Sequence, residues 1–486
     1  MKSTIRRGIM RVVLDALFVG AMAGAWAFEP PRTPAGKRAV EYFAAFNGGE
    51  DSMRAYFLSN AAEQALKDRP VEDRLSRYRG MRSELGKLRP DRVVKSDSAA
   101  VTVMAKSDSG GWLRFAFQFE PVSPWKLVSS SIEQTDSDDS ESSMSPVTEK
   151  QFLDSLGSRL DKMAKADEFS GVVLVARNWA PVFQKAYGLA SKEFNVPNRL
   201  DTKFNLGSMN KYFTRLAIWQ LIEKGKLRLE DTLGRFLPDY PNADARRKVT
   251  IENLVEMMGG IGDFFGDRFD ASPKDRFRSN RDFLPLFDSL PLEFEPGRQR
   301  QYSNGGYIVL GVVIEAVSGN SYYNYVRDHI FVPAGMTATD SYEADDPVDN
   351  LSEGYTREPA KNPGPWKKNI YSRPAKGSAA GGGYSTVGDL LKFTIALQEN
   401  RLLTPASTEW FLTGVRPGDS DANASNKASA GRPRRIGIAG GAPGINASME
   451  ADFNRGSVVI VLGNYDPPNT ERVARLVRHW LEVATD

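Results

Sequence analysis

Phe204-Asn205-Leu206-Gly207-Ser208-Met209-Asn210-Lys211 is the stretch on which the fold turns. It leads into residues 212–224, where Phe213, Leu216, Ala217, Trp219, Gln220 and Leu221 recur at helical spacing and are available for burial. Ser208 therefore stands at the start of a buried helix. Residues three apart share a helix face, so Lys211 lies one turn from the Ser208 hydroxyl, near enough to accept its proton. An amine does this only when neutral, and burial lowers a lysine pKa by penalising the charged form. The helix start adds unpaired N–H groups and a positive dipole end, both suited to an oxyanion forming beside Ser208.

Ser-x-x-Lys is short enough to recur by chance. Ser123-Pro124-Trp125-Lys126 also fits, but at a proline turn opening a strand, where the two side chains do not stack one helical turn apart. Taken alone, Ser208 reads equally well as a helix cap. A second element separates the readings. In Glu295-Pro296-Gly297-Arg298-Gln299-Arg300-Gln301-Tyr302-Ser303-Asn304, Tyr302 and Asn304 sit on a Pro-Gly-led loop before an apolar helix at 307–317. Tyr240/Asn242 and Tyr322/Asn324 repeat the spacing without that context. The Tyr302 phenol suits holding or relaying the Ser208 proton, and the Asn304 amide suits gripping a substrate carbonyl.

Composition narrows the chemistry further. The chain has no cysteine, which removes thiol nucleophiles, disulfides and thiolate metal sites. His329 and His479 are its only histidines, each in a helical segment remote from any nucleophile turn, so both read as structural. A Ser-His-Asp triad and a histidine zinc site are set aside together, and no cofactor or metal is implied. The net charge of +3 is small beside 64 basic and 61 acidic residues, and the basic residues are scattered, which argues against nucleic acid as a partner.

At 486 residues the chain is long enough for two domains. Residues 1–27 carry Lys2, Arg6, Arg7 and Arg11, an apolar run from Val12 to Ala25, and Ala25-Trp26-Ala27, the pattern of a secretory signal cut after Ala27. An uncleaved anchor is the alternative, although the run is short for a membrane span. The signal implies a periplasmic or secreted protein without stable membrane insertion after cleavage. Residues 28–133 read as a small α+β accessory domain: helical sequence to about 88, with Thr33 as cap and Pro34 at the first turn, then three strands at 99–106, 112–119 and 125–133. That order is similar to NTF2-like or cystatin-like domains. The Leu113, Phe115, Phe117 and Phe119 stripe reads as its core. Residues 134–148, rich in Ser, Asp and Glu, read as a linker. Over 149–486, strand pairs near both ends (171–176 with 181–187, 447–453 with 457–462) flank a helical middle, followed by a helix at 470–483. One antiparallel sheet built from both ends of the domain, with flanking helices and a helical lobe, is the expected α/β (α+β) architecture.

Gly207-Ser208-x-x-Lys211, then Tyr302-Ser303-Asn304, then Gly440-Gly441-Ala442-Pro443-Gly444-Ile445-Asn446, in this order, resembles the class C beta-lactamase-related serine hydrolases, which include D-alanyl peptidases and esterases. The likeness spans about 169–468, with further agreement at Glu315-Ala316-Val317-Ser318-Gly319 and Gly381-Gly382-Gly383-Tyr384-Ser385-Thr386. It implies the beta-lactamase/transpeptidase-like fold, with Ser208 as nucleophile, Lys211 and Tyr302 as proton-transfer pair, and Asn304, Gly440 and Gly441 as substrate contacts. It also implies an oxyanion hole of backbone N–H groups from Ser208 and Gly441. Two positions depart from the pattern. Ile438 stands where a Lys or His is usual, and Met257 where another histidine is, while the polar segment before Ile438 lacks the expected aromatic-glycine strand. A basic group then enters the site only if Arg434 or Arg435 reaches in.

These readings converge on acyl transfer from an ester or amide to water through an acyl-enzyme, with a small-molecule or peptide substrate. Carboxylesterase or peptidase action stands ahead of beta-lactam hydrolysis. The alternative is a catalytically impaired penicillin-binding relative that binds peptidoglycan fragments or a partner, which the two missing histidines favour and the retained Ser208, Lys211, Tyr302 and Asn304 oppose.

Overall fold

The computed structural model describes residues 31–108, 112–135, 148–357, 364–416 and 434–483. Residues 1–27 and the interior of the 134–148 stretch lie outside them. The chain divides into two compact units between Ser145 and Pro146.

In the first unit, α1 (Pro34–Gly48), α2 (Glu50–Asn60), α3 (Glu63–Asp68) and α4 (Val71–Leu85) precede a four-stranded antiparallel sheet in sequential order. Its strands are β1 (Leu88–Ser96), β2 (Ala100–Ser107), β3 (Trp112–Phe119) and β4 (Leu127–Thr135). Thr33 caps α1 by accepting from the Gly36 N–H, and Pro34 occupies the first turn, where a missing N–H costs nothing. Leu113, Phe115, Phe117 and Phe119 alternate inward from β3 and bury against Tyr42, Phe43 and Phe46 of α1. The sheet has one strand more than the sequence expectation. Pro90 and Asp91 interrupt the β-like pattern of β1, and the helical run stops at Leu85 rather than 88.

The second unit opens with α5 (Glu149–Lys165), β5 (Gly171–Arg177), β6 (Ala180–Tyr187) and the short β7 (Phe204–Asn205). Its middle contributes α6 (Asn210–Glu223), α7 (Asn304–Ser318), β8 (Tyr384–Ser385) and α8 (Val387–Gln398). It closes with β9 (Arg435–Ala442), β10 (Ile445–Asp452), β11 (Ser457–Gly463) and α9 (Asn469–Val483). The main sheet is antiparallel in the order β9-β10-β11-β5-β6, so its first and last strands in sequence lie side by side. Gly171 to Ala176 are all buried, which requires cover on both faces of the sheet. Alternation divides them. Val172, Leu174 and Ala176, with Val458, Ile460 and Leu462, join the core of the helical lobe, whereas Phe152 of α5 and Trp480 of α9 stack on each other at 4.2 Å outside it.

The short segment before Ile438 carries no aromatic-glycine pattern, yet Arg435, Ile436 and Gly437 are strand and open β9. Its Gly437, Gly440 and Gly441 give no β-propensity, yet all eight residues pair with β10, from Arg435 opposite Asp452 to Ala442 opposite Ile445. As an edge strand it runs beside the 206–208 turn. A Cβ at Gly440 would lie 2.8 Å from the Ser208 nitrogen and nearer still to the Leu206 carbonyl oxygen. Gly440→Ala is expected to cost about 1–3 kcal/mol of stability through this overpacking. Urea unfolding at an unchanged midpoint would contradict the close approach.

Candidate active site

Ser208 sits in a single 3-10 turn, Gly207–Met209, that feeds directly into α6. Gly207 has φ +51, and a side chain there would meet Gly440 and Gly441 at 3.1 Å, so the position needs glycine on both counts. The turn is tied down by Gly207 N–H donating to Asn205 Oδ1 (2.9 Å) and Gly382 N–H donating to the Gly207 carbonyl (3.1 Å). Lys211, in the first turn of α6, is buried with 7% exposure and brings Nζ to 3.2 Å from Ser208 Oγ. The i, i+3 spacing thus produces the contact it predicts.

Tyr302 and Asn304 reach the same point from the start of α7. Ser303 between them is extended (φ −141, ψ 114), so its neighbours share one side while its own side chain points the other way. Ser303 Oγ accepts from Gly306 N–H at 2.8 Å as the helix cap and donates to the Ile261 carbonyl at 2.6 Å. Tyr302 donates its hydroxyl to Ser208 Oγ at 2.6 Å. Asn304 Oδ1 lies 2.7 Å from Lys211 Nζ, and its Nδ2 donates to Asp263 at 2.6 Å. Both neighbours demand the same amide orientation.

Lys211 has a third partner, the Ala380 carbonyl at 2.5 Å. A neutral amine has two N–H groups and one lone pair; Asn304 and Ala380 use the two hydrogens, and the lone pair is left for the Ser208 hydroxyl. The protonated amine has three hydrogens for the same three oxygens, so either state is satisfied without rearrangement. Burial lowers the Lys211 pKa to about 7, with the Asp263 charge partly opposing the shift. Burial also pushes Tyr302 above the ordinary phenol value, despite its bond to Ser208, so Tyr302 is a donor at neutral pH.

Gly440 and Gly441 line the same cleft as Ser208, Tyr302 and Asn304, a cavity of about 710 Å³. Ala442 and Ile445 flank the two-residue turn between β9 and β10, so they form a hydrogen-bonded pair and the next pair, Gly441 with Asn446, does not. Alternation therefore leaves the Gly441 N–H on the open edge of the sheet, the side where the Ser208 turn lies. Ile438 lies outside the cleft lining and packs on the hydrophobic core. Arg434 pairs with Glu409 at 2.9 Å and Arg435 with Asp452 at 2.9 Å, so neither supplies the absent basic group. Met257 acts through its backbone: at φ +58 its carbonyl accepts from Gln301 N–H at 2.9 Å, fixing the loop that ends in Tyr302. His329 packs against Tyr325 with ring centroids 4.4 Å apart and planes tilted by 53°, and neither histidine lines the cleft.

Sequence reasoning missed Asp263 and the Ala380 carbonyl. Asp263 has no spacing signal, and a carbonyl has no side chain to read, though the neighbouring Gly381-Gly382-Gly383 run marked the segment.

A Ser hydroxyl held between a desolvated amine and a phenol, on this beta-lactamase/transpeptidase-like fold, is the arrangement of a serine hydrolase. The chain belongs to the beta-lactamase family, whose model matches residues 159–484. It is 28% identical over 319 residues to penicillin-binding protein 4* of Bacillus subtilis, covering 63% of this chain and 70% of that one. The crystal structure of a penicillin binding protein from Bacillus halodurans aligns with a TM-score of 0.57 at 30% identity, covering 66% of this chain and 98% of that chain. EstCE1, a hydrolase with promiscuous acyltransferase activity, shares the fold with a TM-score of 0.53 at 22% identity over 68% of this chain and 98% of its own.

Asp263→Ala is expected to slow acylation of Ser208 by an activated ester at least about tenfold, because Asn304 loses the acceptor that orients its amide. It is also expected to lower the pH midpoint of that reaction, since the removed charge favours the protonated amine. A midpoint that rises or stays put would rule out this role for Asp263.

Proposed function

We propose that this protein is an exported acyl hydrolase that carries the acyl group of an ester or amide on Ser208. The observation behind the reading is the Ser208 hydroxyl lying 3.2 Å from an amine poised near neutrality and 2.6 Å from a protonated phenol. Neutral Lys211 takes the Ser208 proton as Oγ attacks the carbonyl carbon, and becomes an ammonium. The oxyanion is met by the N–H groups of Ser208 and Gly441. As the bond to the leaving group breaks, Tyr302 gives that group its proton, and the resulting phenolate is stabilised by the ammonium 4.8 Å from its ring. Proton return from Lys211 to Tyr302 resets both groups. Water then attacks the acyl-enzyme as Lys211 takes its proton, the bond between the acyl carbon and Ser208 Oγ breaks, and Lys211 returns the proton to Oγ as the acid leaves.

A short peptide or small ester fits the cleft, and no metal or cofactor enters these steps. The penicillin-binding name of the relatives supports an acyl acceptor for amide-like donors. Beta-lactam hydrolysis ranks lower, because Ile438 puts no charge at the cleft. The same loss is what favours a non-catalytic binding relative; the intact amine–hydroxyl–phenol cluster is the stronger observation, since a binding surface has no need of a buried amine beside a hydroxyl. Export rests on the basic, apolar and Ala-x-Ala order of residues 1–27. Among the described residues no helix is long and apolar enough to cross a membrane.

A fluorophosphonate probe is expected to label the parent protein and not Ser208→Ala. Lys211→Met is expected to unfold cooperatively like the parent while its labelling rate falls at least about a hundredfold. Equal background signals from parent and Ser208→Ala would sink the enzymatic reading.

A further inference from the structure

The cleft is lined by three cationic side chains, and two are already engaged. Lys274 donates to the carbonyls of Phe269 (2.7 Å), Ser272 (2.8 Å) and Asp270 (3.2 Å), which uses all three of its hydrogens. Lys376 pairs with Glu343 at 3.1 Å. Arg373 differs. Its one hydrogen bond among the described residues runs from Nη1 to the hydroxyl of Tyr384, a neutral acceptor, at 2.7 Å. Among the described residues it has no carboxylate within ion-pair distance, Asp270 of the same cleft included. Four of its five N–H donors therefore have no protein acceptor among the described residues.

A half-buried guanidinium has given up part of its hydration, which an anion meeting it would replace. The site is also oriented. Tyr384 pairs with Asn205 across β8 and β7, three residues before Ser208, so the bond to Tyr384 ties the guanidinium to the strand pair that carries the nucleophile turn. Apolar surface accompanies the charge: Phe265 and Tyr371 line the cleft and remain 51% and 85% exposed. With Ile438, Arg434 and Arg435 contributing no charge from the sheet edge, the free positive charge enters from the loop that precedes β8.

We infer that Arg373 is the anion-recognising residue of the cleft, and that the favoured acyl donors carry a carboxylate beside an apolar or aromatic group. The carboxylate belongs either to the leaving side of the scissile bond or to the acyl side; both offer the same planar pair of oxygens to the guanidinium fork. Calling the ligand an acyl donor rests on the acyl-hydrolase reading above, whereas anion recognition by Arg373 does not.

The test is therefore a binding measurement on Ser208→Ala protein, in which turnover plays no part. One arm compares N-benzoyl-glycylglycine with its C-terminal amide, and the other N-succinyl-glycine amide with N-butyryl-glycine amide, all by calorimetric titration. In at least one arm the acid is expected to bind about tenfold or more tightly than its neutral partner. Adding Arg373→Gln should erase that preference, while Lys185→Gln, a charge removed outside the cleft lining, should leave it. The arm that shows the preference names the side of the bond. Acids that bind no better than neutral partners in both arms, or a preference that survives Arg373→Gln, would overturn the inference. Probe labelling of Ser208 decides the hydrolase reading separately.

Discussion

A lysine amine removed from water, yet with an acceptor for every hydrogen it carries, is the constraint around which the second unit is organised. Lys211 alone cannot create it. The Asn304 oxygen comes from the start of α7 and the Ala380 carbonyl from the loop before β8, and neither is near α6 in sequence. The helical lobe must therefore close on the sheet before the amine is both buried and satisfied. Burial without those oxygens would leave an unpaired polar group, and the oxygens without burial would leave an ordinary ammonium. Proton transfer between Ser208 and Lys211 then needs no movement of heavy atoms.

The groups around this amine divide the electrostatic work. Desolvation is the larger influence on Lys211 and drives it toward neutrality, while Asp263, one residue removed through Asn304, restrains the shift. Partial burial moves Tyr302 the other way, further above the ordinary phenol value. Burial thus favours a neutral amine where water would leave a cation, while the half-exposed Tyr302 keeps its proton as an ordinary phenol does. Several supports are main-chain groups: the Met257 and Ala380 carbonyls and the edge N–H of Gly441. Such contacts persist through side-chain changes, which is why the Ser208, Lys211 and Tyr302 geometry stands with Met257 and Ile438 in place.

Much of this was legible in the sequence where a local rule governs the outcome. The Ser208–Lys211 contact follows from helix periodicity, Thr33 and Pro34 announce α1, and the shared direction of Tyr302 and Asn304 follows from the extended residue between them. The sheet assembled from both ends of the domain was visible in the strand runs at 171–187 and 447–462. What escaped depends on tertiary context. β9 is a strand because β10 and the Ser208 turn hold it, against its own glycines, and β1 pairs despite Pro90 and Asp91. Asp263 and Ala380 acquire meaning only when Asn304 and Lys211 arrive beside them. Arg373 is conspicuous for the same reason: its neighbours' charges are engaged, which only coordinates reveal.

The most direct test of the neutral-amine site is the pH dependence of the single-turnover acylation rate of Ser208 by an activated ester. In the proposed mechanism the neutral form of Lys211 is the competent one, and burial lowers its pKa, so the rate should rise with pH through a single ionisation near 7 and level off above it. A rate that is flat from pH 5 to 9, or one that climbs only near the ordinary lysine value of about 10, would contradict a desolvated amine as the group that activates the serine.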